Sequence, residues 1–408
     1  MNCRHCGTTL SQTMIDLGSA PPSNAYLTIQ TLHLPEQWLP LKIMVCNQCW
    51  LVQTEDTTTA EMLFDADYAY YSSYSSTWLN HAKQYVEDMQ SRLSLNNSSK
   101  VIEVAANDGY LLQYVQALGI PCLGIEPTAG TAAAAREKGI PIIEDFFSQP
   151  LARKLVAQGY QADLTIANNV LAHVPDINDF IAGFHSLLKP QGVATFEFPH
   201  LLRLINENQF DTIYHEHFSY LSLTATQRIF ENNGLVIFDV EELPTHGGSL
   251  RVFAQKKNSG VHATSAKVFN LLKREMEAGI SSPAYYTDVQ LRANQVKNDL
   301  LSFLINAKKQ GKLIVAYGAA AKGNTLLNYS GVRPDLLSYV VDQNPEKQGK
   351  FMPGSRIPIM DPMHIKIDRP DYVLILPWNI RQEVVQQLDY IREWGGQFVT
   401  AIPRIEII

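Results

Sequence analysis

The sequence predicts an α/β protein in which a small metal-binding domain precedes two doubly wound parallel sheets. Strand-like and helical segments alternate across residues 100–197 and again across residues 312–377, and this alternation is typical of a parallel sheet with helices on both faces. Two pairs of cysteines precede the first alternation. We therefore divide the chain into domains of residues 1–66, 67–260 and 261–408.

Composition and charge exclude several classes of protein. Hydrophobic residues make up 46% of the chain and charged residues 18%, so collagen, coiled coil and wholesale disorder are excluded. The formal charge of -7 disfavours a surface that follows nucleic-acid phosphates. No stretch reaches the roughly 18 apolar residues of a membrane span, and no signal peptide is recognisable. We expect a cytoplasmic protein with no nucleic-acid, membrane or evident protein partner, and a monomer is compatible with the sequence.

Four of the five cysteines form two C-x-x-C pairs, Cys3 with Cys6 and Cys46 with Cys49. In a reducing compartment a doubled C-x-x-C predicts tetrahedral Zn²⁺ held by four thiolates. A closed four-cysteine site leaves no position for water, so we expect a structural role for the zinc. The alternatives are a redox dithiol or unpaired structural thiols. Cys122 lies in an apolar run and is expected to act as a small buried hydrophobic residue.

The first alternation contains the candidate cofactor site. Strands are predicted at residues 100–104, 122–125, 140–143, 163–167 and 192–197, with helices at 110–118 and 132–138. Ligands of such sheets bind beyond the carboxyl ends of the strands. The loop after the first strand has one glycine, Gly109, so the G-x-G-x-x-G fingerprint of a dinucleotide site is absent. A nucleoside without phosphates, such as S-adenosylmethionine, needs fewer glycines and is the predicted cofactor.

Polar residues at successive strand ends supply the candidate cofactor contacts. Glu126 is placed to bind ribose hydroxyls, and Asp145 with Phe146 could bind and cover an adenine ring. Taken singly, each of these residues is as commonly a solvated carboxylate or a core aromatic residue. The predicted contacts are Ala105, Asn107, Asp108, Gly109, Glu126, Pro127, Asp145, Phe146 and Asn168.

In combination, several segments resemble the three-domain sugar C-methyltransferases, which methylate C3 of nucleotide-linked 4-keto-6-deoxy sugars with S-adenosylmethionine. The segments are the doubled C-x-x-C and residues 107–109, 126–127, 168–173, 214–220 and 246–251. The resemblance covers essentially the whole chain. It implies a zinc-binding domain, a class I methyltransferase domain with a Rossmann-like sheet, and a second Rossmann-like domain that binds the nucleotide of the substrate.

Methylation of a carbon beside a ketone requires a base for the α proton and donors for the enolate oxygen. His217 is the predicted base because imidazole exchanges protons near neutral pH. Glu216 is predicted to fix the tautomer of this ring or of a neighbouring group, and Tyr214 to donate to the substrate oxygen. The resemblance also places Asn169 and His173 around the sugar. Two alternatives are a metal bound by the H-x-H pair and histidines that only satisfy buried backbone groups.

Substrate contacts are expected from three further segments. Residues 67–78 are rich in tyrosine and serine, which suits stacking on a base or sugar, although the segment could be a linker packed on its neighbour. Residues 318–325 form a turn of small residues before a helix, which suits a phosphate, although a purely structural lobe would also use it. The predicted substrate contacts are Tyr68, Tyr70, Ser73, His246, Arg251, Lys322 and Asn324.

Two other functions are also compatible with the sequence. One is an O- or N-methyltransferase that uses the same cofactor on another small molecule. The other is a zinc-containing module that binds nucleotides without catalysing a reaction. Both would make the residues of the 214–220 segment less necessary than C-methylation does.

Overall fold

The computed structural model describes residues 1–55 and 71–408. Its strands are β1 (Gln12–Ala20), β2 (Leu39–Val45), β3 (Val52–Thr54), β4 (Val101–Val104), β5 (Cys122–Ile125), β6 (Ile142–Ile143), β7 (Ala162–Asn168), β8 (Leu188–Pro199), β9 (Ser219–Tyr220), β10 (Leu235–Leu243), β11 (Ser249–Lys256), β12 (Ile314–Tyr317), β13 (Val340–Val341), β14 (Ile359–Met360), β15 (Tyr372–Ile375), β16 (Gln397–Thr400) and β17 (Glu406–Ile407). Its α-helices are α1 (Ser76–Leu93), α2 (Leu112–Ala117), α3 (Ala129–Glu137), α4 (Gln149–Ala157), α5 (Ile177–Leu187), α6 (Leu201–Asn206), α7 (Leu223–Asn232), α8 (Ala266–Ala278), α9 (Val289–Lys309), α10 (Ala321–Ser330), α11 (Met363–Asp368) and α12 (Arg381–Gln387).

The N-terminal sheet is antiparallel, with strand order β1-β2-β3-β9. Ile15 and Ile43 are fully buried on one face, where they join a core that includes Leu300 of α9. The fourth strand, β9, comes from the middle of the chain, directly after the H-E-H string of residues 215–217. The zinc-binding region is therefore paired through its backbone with the segment that carries the candidate base.

The central sheet has the order β10-β11-β8-β7-β4-β5-β6. Strands β4 to β8 are parallel to one another, while β10 and β11 form an antiparallel hairpin at one edge. Helices α1 and α2 cover one face, and α4, α5 and α7 cover the other. All four residues of β4 are buried, as expected for a parallel strand between two layers of helices. The predicted doubly wound sheet is confirmed.

The C-terminal sheet has the order β14-β13-β12-β15-β16-β17 and is parallel except at β17. Strands β12, β13 and β15 lie within the second alternation, predicted across residues 312–377. Before this sheet, most of residues 266–309 lies in two helices, α8 and α9. Gly279 ends α8 in the left-handed region at φ +92°, and Pro283 opens a short 3₁₀ helix between them.

A cavity lies where the carboxyl ends of β4, β5 and β7 face the C-terminal domain. Its walls include residues of the N-terminal, central and C-terminal parts of the chain, among them Asn24, Asn168 and Lys322. None of the helices within residues 1–55 and 71–408 is long and apolar enough to cross a bilayer.

Candidate active site

The cavity has a volume of about 510 Å³, within the range of about 300–1,000 Å³ that small-molecule sites occupy. It collects most of the predicted site residues, although these come from segments far apart in the sequence. The predicted residues that line it are Ala105, Asn107, Glu126, Pro127, Asp145, Phe146, Asn168, Asn169, His173, Tyr214, Glu216, His217, His246 and Lys322. The predicted contacts Tyr68 and Tyr70 lie outside the described residues.

The candidate cofactor end is built around the loop after β4. Ala105 and Asn107 adopt left-handed backbone at φ +58° and +48°, which turns the chain sharply beside the cavity. The N–H groups of Asn107 and Thr128 donate to the two carboxylate oxygens of Glu126 at 2.9 and 3.0 Å. Asn168 also lines the cavity, and its buried Oδ1 has no partner among the described residues. Fixed acceptors and an unpaired amide oxygen fit the hydroxyl and amino groups of an adenosine.

Three predicted contacts lie behind this loop instead of in the cavity. Asp108 accepts from the backbone N–H of Ser73 at 3.3 Å and lies 3.4 Å from the ammonium of Lys138. Ser73 also accepts from Lys138 through Oγ at 2.9 Å. Gly109 sits at φ +75°, and a Cβ there would lie 2.3 Å from Ile140 Cδ1. Asp108, Gly109 and Ser73 therefore support the loop that lines the cavity.

His217 lies in the cavity with one tautomer fixed by the backbone. Its Nδ1 donates to the carbonyl oxygen of Thr212 at 2.9 Å, because a carbonyl can only accept. Nε2 then carries the lone pair of the neutral ring, and no group in residues 1–55 or 71–408 hydrogen-bonds to it. The rings of Tyr214 and His173 lie 4.0 and 4.7 Å away, centre to centre. Burial, followed by nearby His173, lowers the pKa of His217 well below its usual 6.5, so the ring is neutral and able to accept a proton.

Glu216 does not orient His217 as predicted, since Thr212 occupies Nδ1 of that ring. The carboxylate oxygen Oε1 of Glu216 instead accepts from the side-chain amide of Asn24 at 2.5 Å. Burial raises the pKa of Glu216 to about 7, with the Asn24 hydrogen bond acting in the opposite direction. The backbone carbonyl of Glu216 hydrogen-bonds to the ring of His173. Glu216 is therefore a cavity-lining carboxyl held by the N-terminal domain.

Asn169 and His246 form a second polar pair on the cavity wall. Asn169 has left-handed backbone at φ +53°, and its amide Nδ2 donates to Nε2 of His246 at 3.3 Å. Burial lowers the pKa of both His246 and His173 to about 4. Three neutral imidazoles thus surround the site at pH 7, which suits an uncharged sugar ring.

The C-terminal domain contributes cations to the opposite wall. Lys322 donates to the carbonyl of His246 at 3.3 Å and to the Asn379 side chain at 3.1 Å. Burial lowers the pKa of Lys322 to about 8, and the charge of Asp211 partly offsets the effect. Lys347 also lines the cavity. Lys347, Thr212 and Asn24 lie in no recognisable motif and could not be predicted, because they reach the cavity only through the tertiary fold.

Two predicted substrate contacts, Arg251 and Asn324, do not line the cavity. Arg251 is buried in ion pairs with Glu197 at 2.8 Å and Glu241 at 3.2 Å. Glu197 also accepts from His81 at 2.9 Å and from the hydroxyl of Thr245. Arg251 therefore anchors the turn that carries His246. Asn324 is buried within α10.

The four cysteines converge as the spacing predicts. The sulfur atoms of Cys3, Cys6, Cys46 and Cys49 all lie within 4.8 Å of one another, and the pairs Cys3–Cys49 and Cys6–Cys46 are 3.5 Å apart. Thiolates bound tetrahedrally to zinc at about 2.3 Å are about 3.8 Å apart, so the cluster fits the ion. Gln53 donates to Cys3 Sγ at 3.3 Å, as partners of metal ligands commonly do.

Three family models match the chain. They are a zinc binding domain over residues 3–64, a methyltransferase domain over residues 78–240 and a C-methyltransferase C-terminal domain over residues 244–403. Together with the cysteine cluster and the cavity at the strand ends, they define an S-adenosylmethionine-dependent methyltransferase with a structural zinc site.

The C-methyltransferase NovU from Streptomyces niveus is 32% identical over 406 residues, which cover 100% of this chain and 96% of that protein. The chain belongs to the C-methyltransferase family, as the motifs predicted. Among solved structures, the PH0226 protein from Pyrococcus horikoshii OT3 is similar, at 15% identity and a TM-score of 0.39. The similar region covers 46% of this chain and 95% of the PH0226 chain. The structure of magnesium protoporphyrin IX methyltransferase from Synechocystis PCC 6803 with bound SAH covers 44% of this chain and 83% of its own chain, at 15% identity and a TM-score of 0.36.

Proposed function

We propose that this enzyme methylates C3 of a nucleotide-linked 4-keto-6-deoxy sugar through an enolate. The observation that carries the proposal is the free Nε2 of His217 in a cavity that also contains the candidate cofactor residues. An O- or N-methyltransferase acts on an atom that already has a lone pair. A base held in one tautomer is needed most when a C–H bond must be broken.

Residues of the cavity can take up the proton that leaves the substrate carbon and stabilise the enolate that forms. Nε2 of His217 accepts the proton from the carbon beside the ketone, and the electron pair of that C–H bond moves to the carbonyl oxygen. Tyr214 and Asn169 line the same cavity and supply donors for this oxygen, while the neutral ring of His173, whose N–H donates to the carbonyl of Glu216, offers an acceptor to a sugar hydroxyl. S-adenosylmethionine bound here would supply an electrophilic methyl group: the enolate electrons form the new C–C bond as the S–CH₃ bond breaks, and its electron pair stays on the sulfur of S-adenosylhomocysteine, the leaving group. Glu126, Asn107 and Asn168 would hold its adenosine, as described above.

A nucleotide carrier is supported by the charges of the C-terminal wall. Lys322 and Lys347 both line the cavity, beside Ala320 and Ala321 at the N-terminus of α10. Ammonium groups beside the N-terminus of a helix suit a diphosphate. We place the reaction in the cytoplasm, since free thiolates for zinc persist in a reducing compartment.

The test combines the enzyme, S-adenosylmethionine and a panel of 4-keto-6-deoxy nucleotide sugars. We expect one product heavier by a methylene, with the new carbon on C3 by NMR. We also expect the enzyme to exchange the C3 hydrogen with deuterated water. His217→Asn should lose both activities by about 10²–10⁴-fold while keeping its affinity for S-adenosylmethionine.

His215→Asn is the matched control, because His215 does not line the cavity and bonds instead to the carbonyl of Leu39 at 3.2 Å. In folded protein it should retain turnover. A methyl group found on oxygen or nitrogen, or full activity in His217→Asn, would refute the proposal.

A further inference from the structure

A loop of the N-terminal domain reaches into the catalytic cavity. It connects β1 to β2, and within it Asn24 lines the cavity and donates through Nδ2 to Oε1 of Glu216 at 2.5 Å. We propose that Asn24 is a positioning residue of the reaction: it orients the side chain of Glu216 so that the second carboxyl oxygen is presented to a hydroxyl of the substrate. The substrate part of this inference rests on the proposed function.

The loop is held in place by the C-terminal domain. Leu27 exchanges backbone hydrogen bonds with Phe351 at 3.0 and 2.8 Å. The hydroxyl of Tyr26 donates to the carbonyl of Ala319 at 2.6 Å, and the ammonium of Lys347 donates to the same carbonyl at 2.9 Å. Asn24 therefore has a position set by two domains, independent of the segment that carries Glu216. A donor held in this way can orient the carboxylate rather than follow it.

The chemistry of the contact defines what Asn24 does. An amide nitrogen can only donate, so this hydrogen bond favours the carboxylate over the carboxylic acid. No described residue hydrogen-bonds Oε2, the other oxygen of Glu216, and the side chain lines the cavity. Oε2 is thus an acceptor available to the ligand.

Burial and Asn24 are the causes that act on the ionisation of Glu216. The surrounding elements bring other titratable groups near it, which must be considered when its pH dependence is measured. They are His215 and His217 on its own segment, His173 on the neighbouring turn, Tyr26 on the loop and Lys347 on the C-terminal wall.

The experiment has one readout without substrate and one with it. In full-length protein labelled with ¹³C at glutamate carboxyl groups, the Glu216 resonance is identified by its absence in Glu216→Gln. Its pKa is then measured by NMR titration in wild type, Asn24→Ala and Asn24→Gln. We expect Asn24→Ala to raise the pKa of Glu216 and Asn24→Gln, which keeps the amide, to restore it in part.

The kinetic readout separates positioning from folding. Loss of a hydrogen bond to a charged group predicts a fall of about 10–100-fold in kcat/KM for the sugar in Asn24→Ala. The affinity for S-adenosylmethionine and the zinc content should stay unchanged. The acid limb of the kcat/KM profile should move to higher pH. Gln30→Ala, an exposed change in the same loop, is the matched control and should behave as wild type.

The outcomes distinguish the two proposals. An unchanged Glu216 pKa in folded Asn24→Ala overturns the role of Asn24, whatever the substrate is. A raised pKa with unaltered kcat/KM also overturns it. Absence of any methylated sugar from wild-type enzyme, with the pKa shift intact, instead overturns the proposed substrate and leaves the control of Glu216 by Asn24 standing. If Asn24→Ala does not fold, Asn24→Asp provides the comparison, since a second carboxyl group there must also raise the pKa of Glu216.

Discussion

The buried carboxylate of Glu197 offers a quantitative test of how the site is supported. Its side chain is fully buried and accepts from Arg251, His81 and the hydroxyl of Thr245, the residue before His246. Glu197→Gln keeps the shape of the side chain and removes its charge. We expect the variant to be less stable and to hold the His246 turn less firmly.

The expected loss of stability in Glu197→Gln follows from the pKa of Glu197 in the folded protein. Despite its burial, hydrogen bonding to His81 and the charge of Arg251 lower its pKa from 4.5 to about 2. Each pKa unit corresponds to about 1.4 kcal/mol, so the charged form contributes about 3 kcal/mol to folding at neutral pH. Because the folded-state pKa is depressed, this contribution is complete above pH 4.5 and is lost as the pH falls from 4.5 towards 2.

Urea unfolding of Glu197→Gln, followed by circular dichroism and tryptophan fluorescence at several pH values, measures this contribution. Glu241→Gln is the matched control, because it pairs with the same Arg251 but its side chain is 30% exposed. It should cost no more than about 1 kcal/mol. Equal stability of the two variants at pH 7, or a difference that persists unchanged at pH 3, would refute the reasoning.

Three further predictions concern the loop, the metal and the pH dependence. Gly109→Ala should lower the free energy of unfolding by about 1–3 kcal/mol, because Gly109 has a φ of +75° and a Cβ there would lie 2.3 Å from Ile140 Cδ1. Thermal unfolding measures this loss, and an unaltered Tm contradicts it. Cys46→Ser should lower the zinc content of the purified protein and its Tm, and a variant with full zinc occupancy would count against the four-cysteine site. The kcat/KM profile should be a bell: it rises as Glu216 ionises near pH 7 and falls as Lys322 loses its proton near pH 8. Lys322→Arg should remove the alkaline limb, since a guanidinium stays charged.

The central fold could be predicted because its strands are buried on both faces. Segments such as residues 101–104 and 163–167 are rich in apolar and β-branched residues, so β4 and β7 could be predicted from their own sequence, although each pairs with strands from other parts of the chain. Strand β9 contains only two residues and exists through its pairing with β3, which lies far away in the chain. Such a strand carries no periodic signal of its own. The break between α8 and α9 is marked in the sequence by Gly279 and Pro283.

The residues of the candidate site also differ in how far they could be predicted from the sequence. Asn169, His173 and His217 lie in compact motifs and were found because several reactive side chains stand close together in the sequence. Thr212 acts through its backbone carbonyl, which any residue could supply. Arg251 was misplaced for the opposite reason: a charge beside a motif suggests a ligand contact, while the fold pairs it with Glu197.

Strand β9 has a consequence for how the molecule can be divided. Gln53 and Val52 of the zinc-binding region pair with Ser219 and Tyr220, and the hydroxyl of Thr54 donates to the carbonyl of His217 at 3.3 Å. The first 55 residues thus lack one edge of their own sheet, and the segment bearing the base lacks its backbone partner without them. The three family domains are interlocked modules. A chimaera that exchanges the N-terminal module between relatives would have to carry residues 212–220 with it to remain active.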